Sequence, residues 1–199
     1  SKLTKAKTKK KQTKKKQMCI FNFPVQKVFQ TNIFVNLTSD FSKQITVYAN
    51  SAVSSSPNAM ILPFPIPEHL YNLQVQDSHL LQANQDIIQV LDMSKHKTFF
   101  YTLHNLFPIY EQSCSPMSSG SKIQTIEVVQ IGDYKVSVAR TLADLKRIDA
   151  KEFTLSKHVE PIFTQYYAQN FGFLVCKFTG TLTNATPIAY VHHLLAASN

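Results

Sequence analysis

The chain has 199 residues, with 21 Lys+Arg against 12 Asp+Glu for a formal net charge of +9, and 44% of its residues are hydrophobic. No apolar run reaches the ~18 residues of a membrane-spanning helix, and the N-terminus lacks the apolar core of a secretory signal. With four glycines there is no Gly-rich phosphate loop, and three widely spaced cysteines (Cys19, Cys114, Cys176) make no disulfide framework.

The charge is concentrated at one end. Nine lysines (Lys2, Lys5, Lys7, Lys9, Lys10, Lys11, Lys14, Lys15 and Lys16) fall within residues 1–17, which hold no acid. Residues 18–199 are left with 12 basic and 12 acidic side chains, formally neutral. A block of like charges with almost nothing apolar to bury is expected to be a disordered arm. The rest, about 180 residues, suits a single domain with its own core.

In chain order, "MCIFNFP" and "KVFQTNIFVNLT" are rich in β-branched and aromatic residues and predict one or two strands. "QITVYAN" (44–50) alternates in the same way. "AMIL" predicts a short strand, and Pro63, Pro65 and Pro67 predict a polyproline-like segment leaving the sheet at 63–67. A strand at 87–91 follows, then a short helix near 95–106 with Ser94 as N-cap. "SCSPMSSGS" (113–121) has the composition of a loop. Gly132-Asp133 between two alternating runs predicts a type II′ hairpin. Thr141 with Asp144 three residues on is an acidic capping box, ahead of Leu142, Leu145 and Ile148 on one helical face. Ser156 is expected to cap a second helix, with Val159, Ile162, Phe163 and Tyr166 or Tyr167 at helical spacing. "FGFLVCKFTG" reads as a central strand and "TPIAYVHHLL" as a last strand. The fold class expected is α+β, a mainly antiparallel sheet with two or three short helices on one face.

The candidate chemistry is mostly binding. Nine flexible ammonium groups neutralise phosphates with little sequence preference, and the arm carries no arginine for guanine and no aromatic for stacking. Nucleic acid is therefore its expected partner, with an acidic protein or a transport receptor as the alternative. Met60, Ile61, Leu62, Pro63, Phe64 and Pro65 form an apolar, proline-punctuated stretch that must lie against its own sheet or a protein partner. His192 and His193, adjacent in a strand, point to opposite faces and cannot share a metal. The other histidines show no metal-ligand spacing. Cys176 reads as a small buried residue, Cys114 as the thiol to test for reactivity, and the aromatic set Phe171, Phe173, Phe178, Tyr166 and Tyr167 as core. Neither serine-rich loop has the surroundings of a catalytic nucleophile, so no catalytic residue, metal or cofactor is expected. The sequons at Asn36 and Asn184 carry little weight without a secretory route.

The series "GDYKVSVARTLADLKRID", "FTLSKHVEPIF", "YYAQNFGFLVCKF" and "PIAYVHH" (within 132–193), with "NAMILPFP" (58–65), resembles a family of uncharacterised proteins met in large DNA viruses of protists, in some protists and in bacteria. In such members the His-containing C-terminal part runs on beyond the position of Asn199. The resemblance implies an intracellular (nuclear or cytoplasmic) or virion-packaged protein and supplies no catalytic residues. The expected function is a non-enzymatic structural or binding protein, a minor virion component if viral, with the arm on nucleic acid. The alternatives are a small capsid-type shell protein and an enzyme whose site spacing does not reveal.

Overall fold

In the computed structural model, residues 20–71, 85–106, 129–148 and 154–194 are described. The lysine arm, Cys114 and the 113–121 loop lie outside them. Among the described residues, antiparallel pairing builds two sheets. The first contains β1 (Ile20–Phe21), β4 (Asn58–Pro65), β8 (Phe171–Phe178), β7 (Tyr134–Ala139) and β6 (Val129–Ile131), in the order β1-β4-β8-β7-β6. The second contains β2 (Lys27–Leu37), β3 (Lys43–Val53), β9 (Ile188–His193) and β5 (Ile88–Leu91), in the order β2-β3-β9-β5. The helices are α1 (Glu68–Tyr71), α2 (Phe99–Leu106), α3 (Leu142–Arg147) and α4 (Glu160–Tyr167).

Side-chain alternation explains the layering. On β4, Met60, Leu62 and Phe64 join Val136, Val138, Leu174, Cys176 and Phe178 in a core completed by Tyr48, Ala52, Ile88, Ile188 and Tyr190 of the second sheet. The opposite face of the first sheet (Ala59, Ile61, Phe173, Val175) packs on Leu145 of α3 and Phe163 of α4. The outer face of the second sheet (Val47, Ala189) packs on Phe100 of α2. Helices therefore cover both outer faces of a sheet pair, which corrects the expectation of one sheet with helices on one side. The continuous apolar runs of β4 and β8 show that these strands are buried on both faces; they do not show that a second sheet covers one of those faces.

Several local expectations hold. Gly132 (φ 56°) opens a two-residue loop between Ile131 and Tyr134, with positive φ at the first loop position only, as a II′ turn requires. Thr141 Oγ1 accepts from the Asp144 N–H (3.1 Å) and Asp144 Oδ2 from the Thr141 N–H (3.0 Å), closing the capping box. β8 is central, between β4 and β7.

Others are corrected. The Ser94 N–H is taken by Asp92 Oδ1 (2.8 Å) in a local turn, and the helix starts at Phe99 rather than near 95. Ser156 Oγ accepts from the His158 N–H (3.3 Å) and organises the turn before α4, whose N-cap is Val159. Pro63 and Pro65 do not leave the sheet, because they pair with Phe173 and Phe171. The Asn22 N–H donates to the Ala59 carbonyl and the Ile66 N–H to the Asn170 carbonyl, so odd-numbered β4 residues face β1 and even-numbered ones face β8. β1 pairs with Met60 and Ile61, and among the described residues no strand pairs with Pro63 or Pro65 on that side, where a proline's missing N–H interrupts no ladder.

Candidate functional site

Three places in the fold gather polar or exposed side chains beyond what packing demands. The first lies where α1, β7 and α3 meet. Arg140, 3% exposed, donates through Nη2 to the carbonyls of Leu70 (2.7 Å) and Tyr71 (3.2 Å), satisfying the end of α1. Burial lowers its pKa, opposed by the nearby Asp144 carboxylate. Its Nε is buried without a hydrogen-bond partner among the described residues. The Tyr71 phenol is raised in pKa first by burial and then by its hydrogen bond with Tyr167, whose ring lies 5.8 Å away. Nη2 of the guanidinium is taken up by two backbone carbonyls, so the cluster acts as a clasp.

The second is a polar seam at one end of the inter-sheet core. The Gln44 amide donates to Thr46 Oγ1 (2.9 Å) and meets His192 Nε2 (3.3 Å), while His192 Nδ1 meets the His193 carbonyl (2.8 Å). The Tyr190 hydroxyl bonds with Thr46, and burial raises its pKa. Burial also lowers the pKa of His192, whose ring lies 5.6 Å from that of Tyr190. Both ring nitrogens of His192 are engaged by neutral groups, an arrangement that lacks the acid a general base would lean on. His193 points to the other face, as expected, with Nε2 at 2.9 Å from the Asp86 carbonyl and its ring 6.4 Å from that of His69. Among the described residues no three His, Cys, Asp or Glu side chains gather as metal ligands.

The third place is a surface that sequence reasoning missed. Ile33, Val35 and Leu37 lie opposite Tyr48, Thr46 and Gln44, so they share the face that becomes the inter-sheet core. β2 overhangs that core, however, and the three side chains are left exposed, Val35 to 50%, with Val28 exposed on the same face. The β2–β3 turn continues the apolar surface with Phe41, 70% exposed and at φ 58°. Asp40 fixes this turn by accepting from Thr38 Oγ1 (2.6 Å), Ser42 Oγ (2.7 Å) and the Ser42 N–H (3.1 Å), and those bonds pull its pKa down to about 2. A bulky residue in the left-handed region costs conformational energy, and the Asp40 bonds hold it there. The alternation Ile33-x-Val35-x-Leu37 was visible in sequence, but whether a second sheet reaches it was not.

Met60, Ile61, Leu62 and Phe64 are at most 2% exposed, so the apolar stretch lies against its own two cores. Phe173 and Phe178 are core, and Tyr166 packs at the margin of the α4 cluster. Cys176 is fully buried, its thiol pKa pushed up by burial. No helix among the described residues is long and apolar enough to cross a membrane.

No known protein family and no curated protein matches this chain. Among solved structures, the crystal structure of baculovirus P35 is similar with a TM-score of 0.44 and 16% identity, over 88% of this chain and 57% of that one. The chain thus spans little more than half the length of that neighbour.

Proposed function

We propose that this chain is a non-enzymatic structural or binding protein. Its sheet-rich body docks on protein, and its lysine arm (Lys2 to Lys16) holds nucleic acid by charge alone; within a virus it is a minor virion component. The observation that carries the proposal is the segregation of charge, since nine lysines stand in residues 1–17 and the remainder is formally neutral. Such an arm supplies counterion-release affinity without base readout. The exposed apolar face of β2 and the Phe41 tip support the docking half.

A small shell subunit is the second reading, supported by the two antiparallel sheets sharing one core. The helices after Thr141 and Ser156 depart from a pure jelly roll. The test is nucleic-acid binding by the full chain and by a form starting at Met18, across salt. The expected result is binding by the full chain only, with log K falling about 0.7–0.9 per phosphate contact against log salt. Equal binding by both forms would move the site to the body and end the arm proposal. Binding by neither would redirect the arm to an acidic protein.

A further inference from the structure

Among the described residues no strand pairs with the outer edge of β2, which offers main chain and side chains to one kind of partner. Thr38 donates its N–H to the Lys43 carbonyl, and Asn36, Phe34 and Asn32 follow in the same phase opposite Ile45, Val47 and Ala49. The main-chain groups of Ile33, Val35 and Leu37 therefore face outward. The Leu37 N–H is taken by Asn36 Oδ1 (2.9 Å), whereas Ile33 and Val35 face no further strand among the described residues. Edge strands usually carry a charge or a proline at mid-length; β2 has neither between Lys27 and Asp40.

We propose that two copies of this chain pair antiparallel through β2, with a twofold axis at Ile33. This inference rests on the reading of β2 as the docking surface and names its occupant. In this register Ile33 meets Ile33 of the second copy. The bulge at Gln30–Thr31 then brings Val28 opposite Leu37 of the second copy, both on the exposed apolar face. Lys27 comes beside the turn that carries Asp40 of the second copy, and the same contact repeats across the axis. The complementary charges at the two ends, with none between, are what select a second copy over an unrelated strand.

The full chain, freed of nucleic acid, is expected to sediment at twice its 22.6 kDa in a concentration-dependent manner. Ile33→Lys weakens the dimer by about tenfold or more, because the two introduced charges face each other across the axis. Lys27→Glu weakens it as well, by facing Asp40 of the second copy. In a background with Cys19 and Cys114 changed to Ser, Ile33→Cys cross-links under mild oxidation, since hydrogen-bonded pairs hold Cα atoms about 5.5 Å apart. Phe34→Cys, on the face packed by α2, does not. A monomer at every concentration overturns the proposal, as does equal cross-linking at 33 and 34. Protection of the Ile33 and Val35 amides within a monomer would assign the edge to a segment of the same chain and also overturn it. A monomer that still binds nucleic acid leaves the arm standing; a dimer that does not bind leaves the pairing standing.

Discussion

Gly132 shows how one residue joins the two sheets. Its turn delivers Asp133 Oδ2 to the N–H (2.7 Å) and hydroxyl (3.0 Å) of fully buried Thr186, just before β9. A Cβ at Gly132 would overlap the Thr186 side chain, and its φ of 56° disfavours any other residue. Gly132→Ala should therefore cost about 1–3 kcal/mol in urea unfolding, where a surface Gly→Ala is near neutral. Asn22 ties a second junction, donating to the Thr154 carbonyl (2.8 Å) and accepting from the Ser156 N–H (2.8 Å). His192 carries a pH signature. Burial holds its folded-state pKa below the ordinary value near 6.5, so the unfolded chain takes up the proton first as pH falls. Stability from this group is full above about pH 6.5 and is lost below it. The midpoint of thermal unfolding should fall between pH 7 and pH 5, and His192→Gln should flatten that fall. An unchanged slope would assign the pH dependence to the other histidines.

At the scale of elements, what was legible was whatever the chain decides locally. The capping box at Thr141 and Asp144, the turn at Gly132 and the apolar run of β8 each need only a few neighbouring residues, and each forms as expected. The box makes a measurable contribution. Thr141→Ala should lower stability by about 1 kcal/mol by orphaning the Asp144 N–H, whereas Thr141→Ser should keep most of it; equal loss in both would point to the methyl group instead. Ser94 and Ser156 were misjudged because a serine or aspartate organises a turn as readily as a helix start. The prolines of β4 were misjudged for another reason. A proline is excluded from a ladder only where its N–H is needed, and edge direction depends on which strand pairs on each side. Pro63→Thr should accordingly leave stability within about 1 kcal/mol while Leu62→Pro, on the β8 side, should prevent folding. Comparable behaviour of the two variants in thermal unfolding would contradict the edge assignment.

At the scale of the molecule, the sequence shows separation of charge and misses separation of sheets. Which strands share a sheet depends on contacts between residues such as Tyr48, Cys176 and Tyr190 that lie far apart in the chain, and so does the overhang that leaves Val35 in solvent. The same contacts predict how the body unfolds. The sheets are joined by one shared core and by the Asp133–Thr186 bonds, and the Ala52–Leu182 bridge holds the β8–β9 connection against β3, so neither sheet should open alone. Cys176 is the reporter: it is fully buried in that shared core, and burial raises its pKa, so only an opened chain presents a reactive thiolate. With Cys19 and Cys114 changed to Ser, labelling of Cys176 should be slower than that of an unfolded thiol by a factor of about a thousand or more, the ratio set by a stability of 5 kcal/mol or above. Its urea midpoint should coincide with that of circular dichroism, because separating the sheets exposes the thiol and ends the fold in one step. Labelling that precedes the loss of secondary structure would mean that the sheets part first, and that the inter-sheet core is weaker than the helix-covered faces outside it.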